Sequence, residues 1–367
     1  MSERRSGLEG VTVADTELSS VDGAAGQLVI RGHAVEELAG HVSFEAVTGL
    51  LFDGALASDT TARRDALGRA RAEAFAMLPR LGDALDRPGG MDALRAGLAH
   101  ATEADGPWPT SAIAVSGAVA VIAAAWARRR ARLEPVAPDP TIGHAHDYLR
   151  MALGRDVHPS WSDALDAYLV TVVDHGMNAS TFAARVIAST ESDLVSSVVG
   201  AVGALKGRLH GGAPGPVLDM LDAIGTAERA EAWLAGELAA GRRIMGMGHR
   251  VYRIRDPRAA VLEAALERLA RSGHASGRLA LARAVETKAV AALAAHKPDR
   301  PLRANVEFYT ATLLEALDLP RELFTPTFAV GRVVGWCAHV HEQRTHGRLI
   351  RPASRYVGPA PTQRASA

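Results

Sequence analysis

The chain has 367 residues, long enough for two domains with cores of their own, and its 41 Lys and Arg residues balance 41 Asp and Glu. A formal charge of zero excludes the broad basic footprint of a general nucleic-acid binder, and 48% hydrophobic with 22% charged residues excludes wholesale disorder. The single cysteine, Cys337, excludes an intrachain disulfide and a cysteine-based zinc cluster, and it suits a reducing compartment.

The first ten residues mix Glu3, Arg4 and Arg5 with glycines and lack the apolar centre of an export signal, so a cytoplasmic protein is expected. Val11-Thr12-Val13 and Leu28-Val29-Ile30 flank the turn-prone Asp22-Gly23, which predicts at most a small hairpin. The most apolar run, residues 112–126, is shorter than the ~18 residues a membrane span requires and reads as a buried helix. Arg128, Arg129 and Arg130 follow it and complement the negative end of its dipole on a solvated face. Trp161, Leu165, Tyr168, Leu169, Val172 and Val173 recur at helical spacing behind Ser160, a candidate N-cap. Between residues 196 and 207, Gly200, Ala201, Gly203 and Ala204 allow a close helix crossing, within the chain or between subunits. Val261, Leu262, Ala265, Leu266 and Leu269 predict a helix after Asp256-Pro257, and Leu313, Leu314 and Leu317 predict another before Pro320. The expectation is an all-α fold without internal repeats, its helices separated by Gly- and Pro-rich stretches at 134–140, 207–216, 246–257 and 297–305, with a frayed tail after Pro359.

Three of these stretches carry or adjoin polar residues that a core would not take. His210 in Leu-His-Gly-Gly-Ala-Pro precedes a helix start, where glycines permit close approach and the dipole favours negative charge. A neutral imidazole there can donate to a developing oxyanion, or simply satisfy loop carbonyls. From Gly246 to Arg258 the loop gathers His249, Arg250, Arg253, Arg255 and Arg258, a density that favours carboxylate or phosphate recognition over a plain surface loop. Gly246-x-Gly248 lacks the third glycine and the preceding strand of a dinucleotide fingerprint. In Asn305-Val306-Glu307-Phe308-Tyr309, a carboxylate beside aromatic rings could have a raised pKa and act as a base, or could complement the dipole of a first helical turn. His144-Ala-His146-Asp147 and His339-Val-His341-Glu342 lack the spacing that sets two imidazoles on one helical face, so no metal is expected. No Gly-x-Ser-x-Gly or P-loop occurs.

In order along the chain, these segments resemble the citrate synthase family. The resemblance runs from Gly7-Leu8-Glu9-Gly10-Val11 through Asp22-Gly23, Asp174-His175-Gly176-Met177-Asn178-Ala179-Ser180-Thr181, Leu205-Lys206-Gly207-Arg208-Leu209-His210-Gly211-Gly212-Ala213 and Gly248-His249-Arg250-Val251-Tyr252. It continues in Asp256-Pro257-Arg258, Asn305-Val306, residues 328–332, Gly335-Trp336 and Arg351-Pro352, nearly the whole chain. It implies a homodimer of helical subunits, each with a large domain (1–210 and 316–367) and a small domain (211–315) that closes over the substrates. It implies condensation of acetyl-CoA with oxaloacetate to citrate, no cofactor, and no nucleic-acid or membrane partner. By the same resemblance, His210 would bind the thioester oxygen, His249 the ketone oxygen of oxaloacetate, and the carboxylate at 307 would be the base. His175, Arg258 and Arg332 would hold the oxaloacetate carboxylates, with Phe328 beside them, and Arg351 would reach the partner subunit's site. Arg253 and the Gly246, Met247 and Gly248 backbone would form part of the CoA site.

The family usually has Asn-Val-Asp at the base, and here the acid is Glu307, one methylene longer, followed by Thr310-Ala311 where Ser-Gly is more usual. A misplacement of about 1 Å can cost on the order of a hundredfold in rate, so the expectation of an active enzyme requires that the surroundings reseat Glu307. A 2-methylcitrate synthase using propionyl-CoA, and a non-catalytic binder of oxaloacetate or CoA, are the alternatives. The short start before Gly7 implies no control by NADH through an added N-terminal region.

Overall fold

A computed structural model describes residues 7–8, 10–211, 214–249, 251–252, 254–273, 278–296, 298 and 302–359. The turn at Asp22-Gly23 forms as expected. Asp22 Oδ1 accepts from the N–H groups of Ala24 and Ala25 at 2.9 Å, closing β1 (Ser19–Asp22) and β2 (Gln27–Ile30) into an antiparallel hairpin. The first strand is therefore not Val11-Thr12-Val13: so short a turn pairs the residues directly beside it, Asp22 with Gln27, and leaves 11–13 irregular. A two-residue strand β3 (His33–Ala34) completes a sheet of order β1-β2-β3.

Helices make up the rest of the regular structure among the described residues. First come α1 (Val35–Leu38), α2 (Phe44–Asp53), α3 (Thr61–Met77), α4 (Gly90–Leu98) and α5 (Thr110–Arg130). Then follow α6 (His144–Leu153), α7 (Pro159–Val172), α8 (Ala179–Ala188), α9 (Leu194–Leu205) and α10 (Pro214–Ile224). The last are α11 (Ala230–Ala239), α12 (Pro257–Arg271), α13 (Arg278–His296), α14 (Val306–Ala316) and α15 (Phe324–His346). Helix α5 is surrounded by α3, α4, α6 and α15, which explains its alanine-rich sequence: small side chains on all sides let neighbours close in. It is longer than expected, 21 residues, long and apolar enough to cross a membrane on those two criteria alone, but 72% of its most apolar stretch is buried inside the protein. Arg128 and Arg129 in its last turn donate to Glu134 O and Asp86, as cations at a helix C-terminus do.

One local expectation is corrected and another is narrowed. Helix α7 is capped by His158, whose Nδ1 accepts from Ser160 N–H at 3.2 Å; Pro159, with its fixed φ and no N–H to satisfy, takes the first helical position ahead of Ser160. The small-residue crossing is within the chain: a Cβ on Gly200 would lie 2.2 Å from Ile187 Cδ1, so α8 and α9 touch there, whereas Gly203 faces open space.

One histidine of each pair weighed above as a metal lookalike packs on an aromatic ring. His144 stacks on Phe44 at 5.3 Å and approaches Arg71 Nη1 at 3.2 Å through Nδ1, and His341 stacks on Trp108 at 3.9 Å. Arg71 and Asp147 form an ion pair of 2.7 Å with both side chains at 0% exposure. The Arg71 fork also donates to the carbonyls of Asp139 and Ile142, tying the 139–142 loop to α3. Removing Arg71 takes from the buried Asp147 one of its two guanidinium partners, Arg150 remaining at 2.8 Å, and leaves the two loop carbonyls without their donor. Arg71→Leu is therefore expected to cost about 3–5 kcal/mol in urea unfolding, and a change under about 0.5 kcal/mol would contradict this.

Candidate active site

The loop from 246 to 256 and the start of α14 are joined by backbone. Gly248 N–H donates to Arg303 O at 2.7 Å, Asn305 N–H donates to Gly246 O at 2.9 Å, and Met247 bridges Ala304. Asn305 then caps α14 through Glu307 N–H at 3.0 Å and donates from Nδ2 to Gly248 O at 2.8 Å, so the His249 loop and Glu307 are positioned together. Asp256 caps α12 through Arg258 N–H and accepts from Val306 N–H at 3.1 Å, linking the N-termini of α12 and α14. Its carboxylate also takes Arg258 Nε and Nη2 at 3.0 and 2.8 Å, a bidentate pair that holds the guanidinium at the cavity wall.

A cavity of about 1350 Å³ lies between these N-termini, the 174–180 turn and α15. The structure brings to it His175, His210, His249, Arg258, Glu307, Phe328 and Arg332, together with Gly246, Met247 and Gly248. Arg351 is exposed and lies on the chain beyond α15, away from the cavity lining, and Arg253 lies outside the described residues.

Burial sets the protonation of this site. It pushes Glu307 up to about 7, against the opposing pull of Arg258 and Arg332, and the carboxyl's Oε2 is buried without a hydrogen-bond partner. It also pushes His210 and His249 down to about 4, helped by Arg332 in the first case and Arg258 in the second. His175 is driven well below the usual range by burial and by both arginines, so all three rings are neutral near pH 7.

The tautomer of His249 follows from its contacts. Nδ1 accepts from the N–H groups of Val251 and Tyr252 at 3.0 and 3.1 Å, which leaves the proton on Nε2 as a donor. Its ring packs at 5.6 Å from His175, whose Nε2 lies 3.1 Å from the Tyr252 hydroxyl. His210 Nε2 is 2.8 Å from Ser180 Oγ, which accepts from Trp336 Nε1–H at 3.0 Å and also lies 2.8 Å from Asn178 Oδ1. Arg332 donates from Nε to Val172 O at 2.5 Å and sits over the Phe328 ring at 4.8 Å, while its buried Nη1 has no partner. Burial lowers its pKa to about 10, and it remains a cation.

Sequence reasoning missed the supports behind these groups. His339 Nε2 contacts Asp174 Oδ2 at 3.1 Å, and Arg185 donates to His339 Nδ1 at 2.9 Å, so the imidazole must give its proton to Asp174. Ser19 on β1 donates to the same carboxylate oxygen and accepts from Gly176 N–H at 2.9 Å, bracing the turn that carries His175. Burial pushes Asp174 up, but His339 and Arg332 outweigh it and hold the carboxylate below its usual range.

One buried carboxyl beside neutral imidazole donors and two buried guanidinium groups can take a proton next to a polarised carbonyl and hold an anionic substrate. Comparison with known proteins agrees. The family model described as "Citrate synthase, C-terminal domain" matches residues 7–353. A citrate synthase of Haloferax volcanii is 38% identical over 97% of this chain and 96% of its own length. A 2-methylcitrate synthase of Mycobacterium tuberculosis is 35% identical over 96% and 90%. A Thermoplasma acidophilum citrate synthase, solved as a ternary complex with carboxymethyl coenzyme A and oxaloacetate, superposes with a TM-score of 0.86 at 27% identity, covering 97% of each chain. The chain belongs to the citrate synthase family.

Proposed function

We propose that the protein condenses acetyl-CoA with oxaloacetate to give citrate and CoA. The observation that carries this reading is the convergence, in one cavity, of an unpartnered Glu307 carboxyl poised near neutrality with the His249 Nε2–H donor and the unpartnered Arg332 Nη1. A thioester methyl is a very weak carbon acid, so its deprotonation needs a base on one side and a donor at the carbonyl on the other. Glu307 takes the methyl proton. His210, held at Nε2 by Ser180 Oγ, is assigned to the thioester oxygen as the enol forms. Arg258, Arg332 and His175 hold the two oxaloacetate carboxylates beside Phe328, and His249 polarises the ketone. The enol carbon then attacks the ketone carbon, the ketone oxygen is protonated, and water cleaves the citryl thioester. Each charge and proton is handled by a side chain, so the reaction calls for no cofactor. The Gly246, Met247 and Gly248 backbone, with Arg253, is assigned to the CoA side.

Residues 211–315 are taken as the unit that closes and excludes water, since hydrolysis of the acyl donor competes. A second copy of the chain is expected to receive Arg351: the extended segment after α15 exposes Leu349, Tyr356 and Val357 together with it. The reaction is placed in the cytoplasm, with which the free, buried Cys337 is compatible.

Thiol release followed with DTNB tests the reading directly. Oxaloacetate-dependent release from acetyl-CoA is expected, with kcat/KM for propionyl-CoA lower by about 10-fold or more. A preference for propionyl-CoA would make the protein a 2-methylcitrate synthase. No oxaloacetate-dependent signal from either would make it a binding protein.

A further inference from the structure

Tyr168 was read from the sequence as one of the apolar positions of α7, and it is fully buried, yet its hydroxyl has no hydrogen-bond partner. A buried phenol is normally bonded, and leaving it unpaired costs about 1–3 kcal/mol. Its neighbourhood is the floor of the site. Helix α7 packs on α14, which carries Glu307, and on α15, which carries Arg332. Burial raises the phenol's pKa well above its usual value, and Glu307 is the charged group that adds most to this, with Arg332 and Arg258 opposing. A donor without an acceptor and an acceptor without a donor, Glu307 Oε2, thus lie in the same buried region. The glutamate stem has three rotatable bonds, so Oε2 can shift by the small amount a new hydrogen bond requires.

We propose that Tyr168 is the positioning residue for the base: with substrates bound, its hydroxyl donates to Glu307 Oε2 and fixes the longer side chain so that Oε1 faces the acyl methyl. The inference rests on the reading of Glu307 as the base, and it accounts for a glutamate serving where the family usually has aspartate. One carboxylate oxygen is held by the phenol, and the other is left for the proton. The groups that otherwise face Glu307 are Arg258 and Asp256 at the start of α12 and Arg332 on α15.

Tyr168→Phe tests it, because it keeps the ring and removes only an unpartnered hydroxyl, so the thermal midpoint should hold or rise. The expected result is a fall in kcat of about 10- to 100-fold with both KM values little changed. The acid limb of the kcat profile, which reports the substrate-bound enzyme, should also move up by about one pH unit, since a donor that favours the carboxylate form is lost. In a Glu307→Asp background the shorter carboxylate does not reach the phenol, and Tyr168→Phe is expected to leave the limb in place. Unchanged kcat and an unmoved limb in an active enzyme would overturn the proposal. So would a marked loss of thermal stability, which would show that the hydroxyl serves the fold. A wild-type protein without oxaloacetate-dependent thiol release would instead overturn the reading of the reaction, and this inference with it.

Discussion

Glu307→Gln is expected to lower kcat by about 10²- to 10⁴-fold while oxaloacetate binding remains measurable, because the amide keeps the shape of the side chain and loses its proton affinity. The pH dependence carries the same signature. With the Glu307 pKa pushed up to about 7, the carboxyl is protonated and idle below neutrality and becomes an effective base above it. The kcat/KM of the wild type should therefore rise roughly tenfold per pH unit up to pH ~7 and then level off. His210 and His249, both driven down to about 4, stay neutral over that range and add no limb of their own. The residual activity of the Gln variant should lack the limb. Near-wild-type turnover by thiol release would remove Glu307 from the mechanism.

Arg258→Leu should fail twice. The substitution removes a cavity-lining cation proposed above to hold an acceptor carboxylate, so the oxaloacetate KM is expected to rise by about 100-fold. It also leaves Asp256 buried without its bidentate partner, at the point where that carboxylate caps α12 and accepts from Val306 N–H. A stranded buried charge costs about 3–5 kcal/mol, and the loss should appear as a lower urea midpoint. Arg258→Lys separates the two effects: it restores the charge and part of the stability, but a point cation cannot reproduce the forked contact with Asp256. If Arg258→Leu leaves both the midpoint and the oxaloacetate KM unchanged, Arg258 has neither role.

Much of the site was legible because its residues sit beside strong punctuation. The sequence places a helix after Asp256-Pro257, and in the structure Asp256 and Asn305 cap the helices that follow the His249 loop and present Glu307. The supports were not legible. Ser180 with Trp336, and Asp174 with His339, are 156 and 165 residues apart, and only tertiary packing brings them together. Tyr168 was hidden for a different reason: at helical spacing an aromatic residue reads as core, and only its unpaired hydroxyl distinguishes it from a phenylalanine. The misplaced first strand shows the limit of β-propensity. Val11 to Val13 have the right residue types, but the hydrogen bonds of the Asp22 side chain choose which residues pair.

The N-terminal hairpin is more than an ornament on the helical body. One of its strands supplies Ser19 to the turn bearing His175, and its tip presses so closely on the opposite wall that a Cβ at Gly23 would lie 2.2 Å from Val251 O, two residues from His249. The imidazoles of His175 and His249 thus share a brace from the beginning of the chain. Engineering a bulkier residue at its apex would mis-space the histidines with every acid, base and arginine still in place, and the damage would surface as lost affinity for the keto acid.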